Sequence, residues 1–101
     1  MFASIRMYRT DKPGLVLPLA RREWLSVLKS LPGFVNYYLI QADRDSNEIT
    51  TVSIFDTKEH ALASDKVAAE WIIKNDLSKY LVTVPEITSG EVKVTSETEA
   101  V

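Results

Sequence analysis

The stretch Leu31-Pro32-Gly33-Phe34-Val35-Asn36-Tyr37-Tyr38-Leu39-Ile40 holds the change of pattern on which the fold turns. Before it, Leu17, Ala20, Trp24, Val27, Leu28 and Leu31 recur at helical spacing and fall on one face. Arg22, Glu23, Ser26 and Lys29 lie away from that face. After it, residues 34–42 are aromatic and β-branched, which predicts a strand. Pro32 drives the residue before it out of the helical region, and Gly33 suits the turn beyond a helix end. Pro18 is expected in the first turn of the helix, where its missing N–H costs nothing.

Working outward, residues 2–9 read as a short strand stopped by Thr10-Asp11-Lys12-Pro13-Gly14. Downstream, Asp43-Arg44-Asp45-Ser46-Asn47 is a turn cluster, and residues 48–55 return as a second strand to complete a hairpin. Asp56 or Thr57 caps a second helix reaching about Asn75, with Glu59 in its first turn. A helical turn is expected at 77–81, and a last strand at 84–94 with a bulge near Gly90. The order β-α-β-β-α-β is the ferredoxin-like α+β arrangement: an antiparallel sheet with two helices on one face. Residues 1–94 form that domain and 95–101 a flexible tail. The strands are apolar on both sides, whereas a half-solvated antiparallel sheet alternates apolar with polar. The uncovered sheet face therefore wants a partner, and a second copy of the chain is expected there.

Composition narrows the chemistry. A chain of 101 residues with net charge -2 has no charge excess pointing to nucleic acid or an anionic membrane. It contains no cysteine and one histidine, so thiolate chemistry, Cys-based zinc sites and a two-His metal motif are absent. Asp43-Arg44-Asp45 lacks the EF-hand spacing, and three glycines cannot build a phosphate loop. No metal or cofactor is expected. No secretory leader and no membrane-length apolar run is read, which makes the cytoplasm the expected compartment.

Three segments resemble a known group. Leu31-Pro32-Gly33-Phe34-Val35-Asn36-Tyr37-Tyr38 resembles the helix-to-strand junction of the dimeric α+β barrel proteins grouped with antibiotic-biosynthesis monooxygenases. Ser53-Ile54-Phe55-Asp56-Thr57-Lys58-Glu59-His60-Ala61 is similar to their strand-to-helix junction. Pro85-Glu86-Ile87-Thr88-Ser89-Gly90-Glu91-Val92 resembles the last strand of a subgroup without assigned chemistry. The resemblance implies a homodimer, and a cofactor-independent monooxygenase-like enzyme acting on an apolar or aromatic substrate. The alternative is a non-catalytic homodimeric module that binds a small ligand or serves as a scaffold. The Asn on the first strand and the later His of haem-degrading members have no counterpart in residues 2–9 or after His60. The His that many members carry three residues before a helix Ser would fall at Ala61 here. His60 is rotated from that slot by about 100°.

The expected ligand-pocket residues are Trp24, Asn36, Tyr38, His60, Ser64 and Trp71, placed between the second helix and the sheet rather than at the dimer seam. His60, Ser64, Val67 and Trp71 share one side of that helix. Cofactor-independent oxygenation needs an electron-rich substrate held dry beside groups that stabilise its anion. Aromatic walls with Asn36, Arg6 or a Tyr hydroxyl supply them. The competing reading is an aromatic core with His60 at the surface. Asp65 borders the apolar arc, either as a partly buried base, or pointing to solvent at the helix edge, or paired with Arg or Lys. Tyr38 is expected to share a face with Phe34, Asn36 and Ile40, and Tyr37 with Val35 and Leu39.

Overall fold

The computed structural model describes residues 1–96; the expected tail at 95–101 lies, from residue 97 on, outside the described residues. Four strands, β1 (Phe2–Arg9), β2 (Phe34–Gln41), β3 (Glu48–Phe55) and β4 (Glu86–Glu91), form one antiparallel sheet in the order β2-β3-β1-β4. The helical layer comprises α1 (Pro13–Leu19), a π-helical segment (Ala20–Trp24), α2 (Leu25–Ser30) and α3 (Lys58–Lys74). This is the ferredoxin-like α+β fold that the strand and helix order predicts.

The first helix begins four residues earlier than its apolar face suggests. Pro13 takes the opening position that the sequence reading gave to Pro18, and Pro18 lies inside the helix. An interior proline has no N–H for the carbonyl four residues back. Two residues later the helix widens, and the Leu25 N–H reaches back to the Ala20 carbonyl. The π segment keeps Ala20 and Trp24 buried on the sheet side. Leu31 turns extended before Pro32, and Gly33 takes a φ of 76°. A Cβ at Gly33 would overlap Asp56 Oδ1 and His60 Nδ1, so this junction requires glycine twice over, for conformation and for space.

Two expected strand details differ. The β4 pairing with β1 runs in even register through Gly90, so the irregularity is not there. It lies in β2, between Phe34 and Asn36. One extra residue at Val35 breaks the alternation. Phe34 therefore joins Tyr37 and Leu39 on the helix side, where it meets Phe55 edge-on at 5.9 Å between ring centres. Strict alternation had grouped Phe34 with Tyr38.

The register fixes what each sheet face carries. Ser4, Arg6 and Tyr8 lie opposite Ser53, Thr51 and Ile49, while Ile5 and Met7 lie opposite Val52 and Thr50. Ser4, Arg6, Thr51 and Ser53 are buried under the helices, and Ile5 and Met7 are exposed on the far side. The covered core of Ala20, Trp24, Leu28, Phe55, Ala61 and Ala68 is thus apolar from the helices and mixed from the sheet. Every residue of β4 is exposed.

Candidate functional site

Between the helical layer and the sheet lies a cavity of about 60 Å³. Its floor is Arg6, Tyr8, Tyr37, Leu39, Thr51 and Ser53; its roof is Ala20, Trp24, Ala68, Trp71 and Ile72. The two indoles meet across the roof with centroids 5.3 Å apart and planes tilted by 42°. Helix spacing explains the opening above them: Ala20 and Ala68 stand where larger residues would reach the sheet.

Leu77 and Leu81 complete the lining. α3 ends in a paired hydrogen-bond turn, Leu77 N–H to the Ile72 carbonyl and Asp76 N–H to the Ile73 carbonyl, with Asp76 at φ 56°. That turn swings Leu77 back under the layer, where it is buried. A 3-10 turn (Ser78–Tyr80) follows, and Val82 N–H to the Arg9 carbonyl at 2.8 Å ties the segment to the end of β1.

Arg6 is the charged group of this cavity. Its Nη2 pairs with Asp65 Oδ1 from α3, and the Ser4 hydroxyl donates to the same oxygen at 3.0 Å. Asp65 therefore takes the paired reading rather than that of a free base. Burial pushes the Tyr8 phenol up from its ordinary pKa, against the pull of Arg6. Burial pushes Tyr37 far up as well, with Tyr8 adding to the shift. Both rings stay neutral hydrogen-bond donors at neutral pH. Among the described residues no buried side-chain polar atom lacks a hydrogen-bond partner.

Of the residues named from sequence, the structure brings Trp24 and Trp71 together in the cavity wall. The other four lie elsewhere. Asn36 and Tyr38 sit on the opposite sheet face, the Asn36 amide donating to the Tyr38 hydroxyl at 3.0 Å, because the bulge at Val35 hands the inner face to Tyr37. His60 is at the helix start, its backbone N–H capped by Thr57 and its Nδ1 2.6 Å from Asp56 Oδ1. That contact holds the Asp56 carboxyl below its ordinary range. Ser64 is buried beside Ala61, its hydroxyl returned to the Ala61 carbonyl at 2.6 Å, and does not line the cavity. The sequence reading named neither Leu77 nor Leu81 in the lining. The only early signal for Leu77 is an apolar residue just beyond Asn75-Asp76, a pair suited to a left-handed helix end.

Among the described residues no three His, Asp or Glu side chains group as metal ligands, and no helix is long and apolar enough to cross a membrane. A wider, open groove of about 360 Å³ runs along α1 past Leu15 and Leu19 to Tyr80, but no buried polar group converges on it.

No family model matches the chain, and no curated protein sequence matches it. Its fold does match solved structures. A Nitrosomonas europaea protein assigned provisionally as an antibiotic biosynthesis monooxygenase superposes with a TM-score of 0.78 at 14% identity, over 93% of this chain and 100% of that one. The Streptomyces coelicolor monooxygenase from ActVA-Orf6, solved with nanaomycin D, gives 0.73 at 15%, over 93% and 88%. SnoaB, a cofactor-independent oxygenase from Streptomyces nogalater, gives 0.76 at 11%, over 94% and 95%. At these identities the likeness speaks for architecture alone. The chain has the α+β fold of the antibiotic-biosynthesis-monooxygenase-like proteins.

Proposed function

We propose that this chain is a cofactor-independent, monooxygenase-like enzyme that takes an apolar, aromatic small molecule between its helices and sheet. The observation that carries the reading is the cavity itself: two indoles and two neutral phenols around one buried guanidinium. Flat rings stack on such walls, and a dry cavity strengthens any charge contact inside it. Without a cofactor the substrate supplies both electrons. A ring that enters as its anion passes one electron to dioxygen, and the two radicals combine as a peroxide anion that takes a proton from solvent. O–O cleavage with loss of the proton on the same carbon then releases water and leaves a new carbonyl. The walls hold the ring and exclude water, while Arg6 steadies the developing anion. Two expectations accompany this reading: a cytoplasmic setting, and a homodimer joined through the sheet face that carries Ile5, Met7, Tyr38 and Ile40.

A cavity near 60 Å³ is small for this role, since about 150 Å³ takes up benzene and ligand pockets usually run to several hundred. Occupancy therefore requires the lining to move apart. The same size favours a second reading, a homodimeric module without catalysis. Thermal-shift screening of small aromatics, followed by oxygen-electrode assays of each compound that raises the melting temperature, separates the two. Oxygen uptake that disappears in Trp71→Ala supports the enzyme. Binding without uptake supports the module, and no shift with any ring removes both ligand readings.

A further inference from the structure

Resting on that cavity reading, we propose that Arg6 selects ligands carrying an oxyanion on a small ring, a phenolate or a carboxylate, with Asp65 as its standing counter-charge. A buried ion pair is a poor stabilising device, because well-packed apolar residues in its place are usually as good or better. Arg6 and Asp65 are nonetheless built into the layer between α3 and β1, with Ser4 holding the carboxylate. The pair engages one guanidinium nitrogen and one carboxylate oxygen. A guanidinium carries five N–H donors in a planar fork that matches carboxylate and phenolate oxygens. The same guanidinium lines the floor of a cavity whose walls are otherwise aromatic, aliphatic or hydroxyl-bearing. Asp65 keeps the charge compensated while the cavity is empty, so no lone guanidinium is left buried without a ligand. An entering ring then stacks between the aromatic walls and sets its oxygen on the guanidinium N–H groups that Asp65 does not hold, beside the Tyr8 hydroxyl that also meets Arg6.

The test uses two probes that differ by a single hydroxyl, 4-nitrophenol and nitrobenzene, with benzoate as competitor. At a pH equal to the free probe's own pKa, wild-type protein is expected to shift 4-nitrophenol toward its visible-absorbing phenolate. Benzoate is expected to displace it if a carboxylate also fits; displacement failing, the accepted oxyanion is the phenolate alone. The variant Arg6→Met/Asp65→Asn removes both charges and leaves Ser4 an acceptor. It should bind 4-nitrophenol at least about tenfold more weakly, with no spectral shift, and nitrobenzene as the wild type does. Should that variant fail to fold, Arg6→Lys keeps the charge but not the fork, and is expected to keep the phenolate shift while losing affinity for benzoate. Equal binding of both probes with no spectral shift overturns the role of Arg6 and leaves the cavity reading standing. Binding of neither probe overturns both.

Discussion

The two faces of the one sheet differ in kind: the covered one mixes polar with apolar side chains, and the open one leaves large apolar side chains exposed. The face under the helices sets Ser4, Arg6, Tyr8, Thr51 and Ser53 beside Phe34, Leu39, Ile49 and Phe55, and the face turned away from them carries Ile5, Met7, Tyr38 and Ile40. In an isolated domain the apolar side of a strand is the one that packs. Here the covered side lines a cavity with polar groups, and among the described residues no fully buried side-chain polar atom is left without a partner. The open side is what a second copy would cover. On the proposed reading the sheet separates two jobs, its inner face taking a small ring and its outer face a second copy of the chain.

The largest expected effect breaks the inner face at its apolar end. Phe55 is fully buried against Phe34, and Phe55→Ala should cost about 3–5 kcal/mol in urea unfolding. Next comes the charged part of that face. Asp65→Ala strands the Arg6 charge and should cost about 3 kcal/mol, whereas replacing both partners with apolar residues should cost far less. If the single and double replacements cost the same, the pair is not coupled and the inner face is ordinary core. Thr57→Ala, which removes the α3 cap bonded to the His60 N–H at 3.2 Å, should cost about 1 kcal/mol without changing ligand binding.

The outer face is expected to behave oppositely. Ile5→Lys with Ile40→Lys should change the stability of the single chain by no more than about 0.5 kcal/mol, since both residues are already exposed. Light scattering should nevertheless drop to the 11.4 kDa of one chain. Smallest of all is the Asp56–His60 contact at the surface. The folded Asp56 carboxyl lies below its ordinary value of 3.8, so its contribution is present above that pH and fades as pH falls through the lowered value. Acid titration of unfolding should show this slight slope below about pH 4, and Asp56→Asn should remove it.

The element order was legible because its signals are local. Pro32-Gly33 ends a helix, 43–47 turns a hairpin, and Thr57 caps α3, each by chemistry confined to a few residues. Trp24 and Trp71 were legible for the same reason: helical spacing places them on the inner faces. Tyr38 and Asn36 were not, because one extra residue at Val35 reverses every side chain after it, and nothing in the local sequence marks that bulge. His60 follows its neighbours Asp56 and Thr57 rather than the helix stripe. Leu77 enters the cavity lining only through the turn geometry of Asp76.

The division of labour between the faces is tested most directly by amide and indole NMR during a titration with nitrobenzene. The chain has two tryptophans, so two indole N–H signals report the inner cavity. Backbone amides of Ile5, Met7, Tyr38 and Ile40 report the outer face. Both indole signals are expected to move along one saturating curve while those four amides stay in place. Saturating shifts at the four amides with the indoles unmoved would put the ligand on the outer face and contradict that division.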